Sequence, residues 1–431
     1  MRIVPQITPA IWLGLTAAAI EACLLRFNWL SHRDSVREAI FLYIAIYLFY
    51  LIAVRVVLRD RAGRFLKPMI LAAALLFRLT AWPLNAPFSE DIYRYRWEGK
   101  LQAHGGNPYQ VRPDDEAWRH LRDASWARVG QKDVKAGYGP LAELLEHATY
   151  IGAARIAGDP FRQAHWFKFP SALFDLCSIA VLWMLLAARK IPVERTLIYA
   201  WAPAPVLEFW GTGHNDAVMI CFILLALLAA ERKRWKWAFA AIGAAAAVKL
   251  WPLLLIPAFA WKRRWWQGSI AIAVLAALFI PYWSDVGENA RFMSGFVGGW
   301  RNNDSLYGVL LWLTGDQYKA KYLAFALLGI ATAAIALSKW QLEKKVLATI
   351  GALLLVAANV HPWYLTWFVP LLAFLPAPPL FVWLTLSPLL YTVLIDWNAK
   401  GVWNGTTHFR WWVYVPVLAA TLSMFLAKTI R

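Results

Sequence analysis

Long runs of apolar residues constrain this chain more than any other feature of its sequence. Hydrophobic residues make up 60% of the 431 residues and charged residues only 16%, whereas a soluble domain is about one-quarter charged. The apolar residues are not confined to one face of each predicted helix, so they must meet lipid. The pattern predicts an all-α polytopic membrane protein and argues against a soluble enzyme.

The length of the runs predicts about 11–14 transmembrane or re-entrant helices. The candidate spans are 8–25, 37–58, 68–83, 140–157, 166–188, 192–209, 214–231, 235–261, 267–283, 318–338, 344–360, 362–377, 379–396 and 411–428. Several are short or broken by proline, and re-entrant segments are allowed where the backbone is buried in protein or lines a wet cavity. We expect one transmembrane domain, 1–431.

The net charge of +18 is spread over short basic clusters between the apolar runs. This distribution follows the positive-inside rule and does not indicate nucleic-acid binding. It predicts that the N-terminus, the Arg59–Lys67 loop and the C-terminus are cytoplasmic, which places the loop 85–140 outside. If segment 140–157 crosses the membrane fully, the basic cluster Arg189–Arg195 lies outside, which contradicts the positive-inside rule. If the segment is re-entrant, the number of crossings places this cluster in the cytoplasm, in agreement with the rule.

The predicted outer loop, residues 85–140, is chemically unlike the rest of the chain. A helix is predicted for Glu90–His104, and the segment Gly105-Gly106-Asn107-Pro108 ends it. A second short helix is predicted for Asp114–Arg122. We expect these amphipathic helices to lie on the membrane surface. The loop holds eight of the chain's 26 acidic residues: Glu90, Asp91, Glu98, Asp114, Asp115, Glu116, Asp123 and Asp133.

The start of this loop has the residues for acid–base chemistry. A carboxylate here, directly after a predicted span, can take a proton from a hydroxyl nucleophile as a general base. The neighbouring Arg94 and Arg96 would keep such a carboxylate ionised or bind phosphate. The alternative is a solvated helix with internal ion pairs.

Two further groups contain ionisable residues at or inside predicted spans. A charge inside a membrane is energetically costly, so such residues are taken to be functional by default. The first, His214-Asn215-Asp216, opens a span, and a helix start suits anion binding; the alternative is that Asn215 and Asp216 cap the helix. The second is Lys249, next to the break at Trp251-Pro252, which either snorkels to the interface or meets a phosphate.

Two later segments combine polar side chains with aromatic rings. They are Trp300–Ser305, with Arg301 and Asn303, and Asn359–Trp367. This mixture suits carbohydrate, because aromatic faces pack against sugar C–H faces while Asn, Asp and His bind hydroxyls; the alternative is an interfacial aromatic belt with helix caps. The chain has no Walker loop, dinucleotide fingerprint, zinc pattern or Gly-x-Ser-x-Gly motif.

Together these segments resemble the GT-C superfamily of membrane glycosyltransferases, in particular its bacterial polyprenol-phosphate-mannose-dependent mannosyltransferase-like branch. Asp91–Tyr109 matches the family's opening loop, D-x-Y-R-Y-x-W-D-G-x-x-x-A-x-G-x-N-P-Y, except that Glu98 replaces an Asp. Tyr138-Gly139-Pro140 stands where Tyr-Pro-Pro is common. Later matches are Gly213-His214-Asn215-Asp216, Lys249-x-x-Pro252 and His361-Pro362-Trp363-Tyr364.

The resemblance implies a GT-C fold and inverting transfer of a sugar, mannose or a related hexose, from a polyprenyl-phosphate donor. The acceptor hydroxyl would belong to a glycolipid, glycan or protein, on the extracytoplasmic side of a bacterial-type inner membrane. Asp91 maps onto the base; adjacent residues on a helix point about 100° apart, so Glu90 would face elsewhere.

Other roles follow from the same resemblance. Lys249, Arg301 and Arg94 would bind the donor phosphate. The scheme requires no metal ion, and Glu90, Asp91 and Asp216 are the residues that could hold a divalent cation such as Mg²⁺ or Mn²⁺. The residues implied in sugar or acceptor binding are Glu90, Glu98, His214, Asn215, Asp216, Asn303, His361, Trp363 and Tyr364.

Two other classes of protein compete with this interpretation. A transporter or flippase for a lipid-linked sugar would also use an intramembrane lysine and broken helices. Against it, the sequence shows no internal duplication, and a transporter has no need for a large acidic first loop. A non-catalytic subunit of an envelope glycan assembly complex would tolerate the loss of Asp91.

Overall fold

The computed structural model describes residues 8–30, 35–59, 66–84, 88–261, 265–285, 300–406 and 408–429. Within these ranges the chain is helical with no named strand, and one isolated bridge pairs Asn302 with Asn359. The prediction of an all-α protein is therefore confirmed. Parts of two predicted segments lie outside the described residues: 60–65 of the basic loop and 85–87 of the outer loop.

The described residues form the following α-helices in chain order. They are α1 (Pro9–Asn28), α2 (Val36–Arg59), α3 (Leu66–Ala81), α4 (Asp91–Ala103), α5 (Pro140–Ile156), α6 (Pro160–His165), α7 (Phe169–Ala188), α8 (Leu197–Ala200), α9 (Asp216–Glu231), α10 (Trp235–Ala246), α11 (Ile256–Ala260), α12 (Gly268–Phe279), α13 (Leu306–Thr314), α14 (Gln317–Leu337), α15 (Leu342–Val356), α16 (Pro378–Leu386), α17 (Val393–Lys400) and α18 (Phe409–Thr429). Between them lie 3₁₀ helices at Glu116–Leu121, Ala124–Arg128, Trp166–Lys168, Val193–Thr196, Trp251–Leu255, Trp265–Gln267, Ile280–Asp285, Pro362–Ala373 and Ser387–Thr392, and a π-helix at Pro205–Gly211.

Seven helical stretches in the described residues are long and apolar enough to cross a membrane, which makes this a polytopic membrane protein. Each overlaps a predicted span. The other seven predicted spans are helical too, but they are short, as in α3, α5, α9 and α15, or interrupted. The total of about 11–14 and the orientation stay predictions. The seven stretches are Pro9–Asn28, Val36–Arg59, Pro160–Ala188, Trp265–Trp283, Gln317–Leu337, Pro378–Lys400 and Phe409–Ala427.

The predicted break near Lys249 is present. α10 ends at Ala246, and a 3₁₀ helix follows from Trp251, with Pro252 in its first turn. Proline lacks a backbone N–H and its ring clashes with the preceding turn, which kinks or breaks an α-helix. Lys249 therefore lies in a non-helical gap between two helical pieces.

The chain divides into two compact units. The first comprises Met1–Phe88, Leu182–Gly211 and His361–Arg431, and the second Ser89–Val181 and Thr212–Val360. In the first unit, buried polar groups bond to one another. Arg78 donates to the carbonyl of Ala200 at 2.6 Å, and Glu208 accepts hydrogen bonds from Tyr43 and Tyr391 at 3.0 and 2.8 Å. Such internal pairing is required where lipid offers no partner.

In the second unit, α4 packs against α5, and α10 packs against α9 and α12. The structure buries α4 more deeply than expected for a helix on the membrane surface, because even its Arg96 and Glu98 are buried by protein. The two helices approach most closely at Gly99, where an added Cβ atom would lie 2.4 Å from the carbonyl oxygen of Glu146.

We predict that Gly99→Ala destabilises the protein, because the obstructing atom belongs to the backbone and cannot rotate away. Overpacking of this kind costs about 1–3 kcal/mol. Gly152→Ala is the matched control on α5, since a Cβ atom there meets nothing within 4 Å; it should be neutral or stabilise by up to about 1 kcal/mol. Thermal unfolding of both variants in detergent checks this, and equal unfolding temperatures would contradict it.

Candidate active site

Asp91 is the first residue of α4 and faces three potential hydrogen-bond donors. Its Oδ2 atom lies 3.4 Å from Nδ1 of His214, and the hydroxyls of Tyr95 and Tyr138, which hydrogen-bond to each other at 3.0 Å, both lie 3.5 Å from the same oxygen. These contacts are long, as is common for catalytic groups without a bound substrate. The side chain is 36% exposed, so a substrate hydroxyl can reach this carboxylate.

The adjacent Glu90 has a different partner. Arg128 forms an ion pair with it at 2.6 Å, and the same guanidinium lies 4.6 Å from the centre of the Tyr93 ring and donates to its hydroxyl. Two neighbouring carboxylates thus point to separate groups. Of the two, Asp91 is the one next to a histidine.

The His214 side of this contact belongs to a tight turn before α9. Gly213 has φ +81°, and a Cβ atom there would lie 3.0 Å from Ile92 and 3.1 Å from Lys168. Only glycine combines this backbone conformation with so little space. The hydroxyl of Ser171 donates to the carbonyls of Gly213 and His214 at 3.1 and 2.8 Å, which fixes the turn.

The three residues after Gly213 contact three different elements. His214 meets Asp91 on α4, Asn215 donates to Glu146 on α5 at 3.0 Å, and Asp216 pairs with Lys249 at 2.7 Å. All three side chains are buried. Asn215 occupies the N-cap position of α9 but makes no capping hydrogen bond through its side chain, which is bonded to Glu146 instead.

Lys249 lies close to the end of the outer loop. Its Nζ atom is 5.7 Å from the centre of the Tyr138 ring, and the Tyr138 hydroxyl contacts Asp91. The tyrosine therefore connects the carboxylate to the ammonium. The backbone N–H of Gly139 donates to the carbonyl of Val248 at 3.0 Å, which ties the loop end to the residue before Lys249.

The predicted phosphate ligand Arg94 is occupied by protein groups. It forms an ion pair with Glu98 and donates to the carbonyls of Gln131 and Val134 at 2.9 and 2.7 Å. These contacts hold the loop against α4. Its role toward a donor phosphate stays a prediction.

Asp123 anchors the same loop to α4. Arg96 reaches its two oxygens at 3.2 and 2.9 Å, and Lys100 reaches it at 2.8 Å. Burial opposes ionisation, but the hydrogen bonds from Lys100, Arg96 and Ser125 outweigh it and lower the pKa of Asp123 to about 2. In the sequence this residue is one of the eight acidic residues of the outer loop, and no role was predicted for it.

A second group of acidic residues was not predicted from the sequence as a group. Glu98, Glu143 and Glu146 are buried, and one oxygen of each lies within 4.8 Å of the other two. Burial raises the pKa of Glu98 although Arg94 opposes the rise. The signal in the sequence was two acids, three residues apart, inside the predicted span 140–157. By contrast, two of the predicted metal candidates, Glu90 and Asp216, pair with cations.

The other predicted site residues fall into two places. In the second unit, Arg301 pairs with Asp304 at 2.8 Å, and Asn303 is buried with φ +51°. In the first unit, His361, Trp363 and Tyr364 form a ring cluster in which His361 and Trp363 stack with centroids 4.1 Å apart. Their roles toward phosphate and sugar stay predictions.

The fold and site define a polytopic helical membrane protein with a partly open carboxylate beside a histidine. The chain belongs to the family described as alpha-(1->6)-mannopyranosyltransferase, N-terminal domain, whose model matches residues 10–264. This confirms the resemblance to the mannosyltransferase branch of the GT-C superfamily.

One relative is the polyprenol-phosphate-mannose-dependent alpha-(1-2)-phosphatidylinositol pentamannoside mannosyltransferase of Mycolicibacterium smegmatis. It is 25% identical over 269 residues, which cover 56% of this chain and 64% of the relative. The alignment therefore spans less than two-thirds of that protein's length. No solved structure matches the chain.

The low pKa of Asp123 predicts a pH-dependent contribution to stability. A carboxyl group whose pKa falls from 3.8 to about 2 on folding stabilises the native state above pH 4, and this contribution is lost as the pH falls through 2. Wild type and Asp123→Asn should therefore differ in unfolding temperature at pH 6 and converge toward pH 2. Thermal unfolding across this range measures the difference, and a constant gap would contradict the assignment.

Proposed function

We propose that the chain is a glycosyltransferase that moves mannose from a polyprenyl phosphate to a hydroxyl acceptor with inversion at the anomeric carbon. The reaction takes place on the extracytoplasmic side of the membrane. Membership of a mannosyltransferase family and the polyprenol-phosphate-mannose dependence in the relative's name support the donor. The relative's name also specifies a glycolipid acceptor, and we extend that acceptor class to this chain.

The observation that carries this proposal is the position of Asp91. It is a partly exposed carboxylate at the start of a helix, with His214 and two tyrosine hydroxyls around one oxygen. In the proposed step it removes the proton from the acceptor hydroxyl, whose oxygen attacks the anomeric carbon from the face opposite the phosphate. The bond from that carbon to the phosphate oxygen breaks, and the electron pair leaves with the polyprenyl phosphate.

His214, Tyr95 and Tyr138 hold the Asp91 carboxylate in one orientation. Orientation matters because a general base must lie within hydrogen-bonding reach of the proton that it accepts. The histidine is fixed in turn by the turn at Gly213 and by Ser171. The base is therefore supported by a rigid buried segment and not by the loop alone.

Lys249 is the proposed partner of the leaving phosphate. A preorganised cation stabilises charge that develops on the phosphoryl oxygens, and its effect is strongest where water is excluded. Its side chain is 15% exposed and its ammonium is already paired with Asp216, so the cation is held in place before the donor arrives. Arg301, at 32% exposure, is the second cation assigned to this role.

The remaining assignments concern the sugar and acceptor. The stacked rings of His361 and Trp363 offer a flat aromatic face, and Asn303 offers a buried amide. These groups suit the C–H faces and hydroxyls of a mannosyl residue. The proposed chemistry requires no metal ion, because a carboxylate, a histidine and a cation supply the proton transfer and the charge stabilisation.

Asp91→Asn tests the proposal, because it keeps the shape of the side chain and removes the base. We expect transfer from polyprenyl-phosphate-mannose to fall by about 10²–10⁴-fold, the usual contribution of a general base. The matched control is Asp133→Asn, an exposed carboxylate of the same loop, which should transfer at the wild-type rate. The assay is product formation by the purified chain in detergent with a mannosylated glycolipid acceptor.

Near-normal turnover by Asp91→Asn would contradict the assignment of the base. The same preparation separates the competing classes of protein. A flippase would move labelled lipid-linked mannose across proteoliposomes without forming product, and a non-catalytic subunit would show no turnover by the purified wild-type chain.

A further inference from the structure

Glu98 on α4 and Glu143 and Glu146 on α5 form a buried group outside the proposed mechanism. Their side chains are 2%, 0% and 3% exposed, and one oxygen from each lies within 4.8 Å of the other two. Burying one ionised carboxylate is costly unless it is paired, and three together repel one another. The group therefore needs a compensating partner.

Each carboxylate is held through one oxygen by its own donor. Arg94 donates to Oε1 of Glu98, and the amide of Gln102 donates to Oε2 of Glu143 at 3.1 Å. The amide of Asn215 donates to Oε1 of Glu146 at 3.0 Å. Gln102 is itself fixed by the hydroxyl of Tyr282, which donates to it at 2.7 Å. Such outer contacts are the kind that orient metal-binding carboxylates.

The surroundings of the second oxygen of each carboxylate are a separate observation. Oε2 of Glu98, Oε1 of Glu143 and Oε2 of Glu146 are buried and receive no hydrogen bond from an N–H or hydroxyl group of the residues that the structure describes. The carboxyl groups of Glu98 and Glu146 lie within hydrogen-bonding reach of each other. Buried acceptors normally have partners. Two other buried acids in this unit, Asp216 and Asp304, each pair with a cationic side chain. Three such oxygens in one place indicate that a ligand belongs there.

The charge and the spacing indicate which ligand it is. Arg94 is the one cation that contacts the group among the described residues, so three ionised carboxylates leave two negative charges. A divalent cation neutralises both. Two oxygens on opposite sides of one Ca²⁺ ion lie about 5 Å apart, because each Ca–O distance is roughly 2.3–2.6 Å. One oxygen from each carboxylate, with separations within 4.8 Å, fits within one such sphere.

We infer that Glu98, Glu143 and Glu146 bind one divalent cation of the oxygen-preferring class, Mg²⁺, Mn²⁺ or Ca²⁺. The cation joins α4 to α5 and, through Asn215, supports the turn that carries His214. This site is distinct from the predicted metal residues Glu90, Asp91 and Asp216, and it does not depend on the proposed transfer reaction.

The test is metal binding by the full-length purified chain after treatment with a chelator. Mn²⁺ is the probe, its free concentration is followed by electron paramagnetic resonance, and Mg²⁺ and Ca²⁺ serve as competitors. Wild type should bind Mn²⁺ in a one-to-one ratio and unfold at a higher temperature with the metal. Glu143→Gln, which contacts neither Asp91 nor Asn215, should lose both effects, whereas Glu116→Gln, an exposed acid of the outer loop, should retain them.

Wild-type protein that binds no Mn²⁺ and unfolds at the same temperature with and without metal would overturn the inference. In that case, protons neutralise the group, and the infrared spectrum should show a protonated carboxyl band that disappears in Glu143→Gln. If Glu143→Gln does not fold, the wild-type titration decides alone, and Glu143→Asp, which keeps the charge but shortens the side chain, should bind Mn²⁺ more weakly.

Discussion

The ion pair between Lys249 and the buried Asp216 connects the two segments on which the site depends. Asp216 is the first residue of α9, and Lys249 lies in the gap where Pro252 interrupts the next helical stretch. Removing Lys249 would leave the buried carboxylate of Asp216 uncompensated, which is strongly destabilising. Because Asp216 lies two residues after His214 in the same turn, the same pair helps to fix the residue that contacts Asp91. The base and the proposed phosphate-binding cation are thus positioned by one short turn.

At the end of the outer loop, close to this ion pair, the sequence departs from the family pattern. Gly139 stands where proline is common, and its N–H donates to the carbonyl of Val248. A Cβ atom at this position would lie 2.3 Å from the carbonyl oxygen of Ala247, and a proline has no N–H to donate. The substitution therefore allows the loop to approach the backbone beside Lys249 closely, and it brings Tyr138 between that lysine and Asp91.

Local signals in the sequence predicted local structure well. The α4 helix, its end at Gly105, and the break at Pro252 follow from residues within a few positions of each feature. The carboxylate group of Glu98, Glu143 and Glu146 was not predicted, because it joins residues about 45 positions apart through helix packing. Proline and short run length marked several spans as broken in the sequence, but the hydropathy average did not give the bounds of the helices inside them, since it is insensitive to backbone geometry.

The most direct measurement is the structure of the chain with a non-transferable mannosyl phosphonate analogue of the polyprenyl donor. The proposed mechanism predicts that the analogue's phosphonate lies within hydrogen-bonding distance of Lys249 Nζ. It also predicts that the face of the anomeric carbon opposite the phosphonate is turned toward Asp91. A donor bound with its charged group away from Lys249, or with Asp91 on the same face as the leaving group, would contradict inverting transfer at this site.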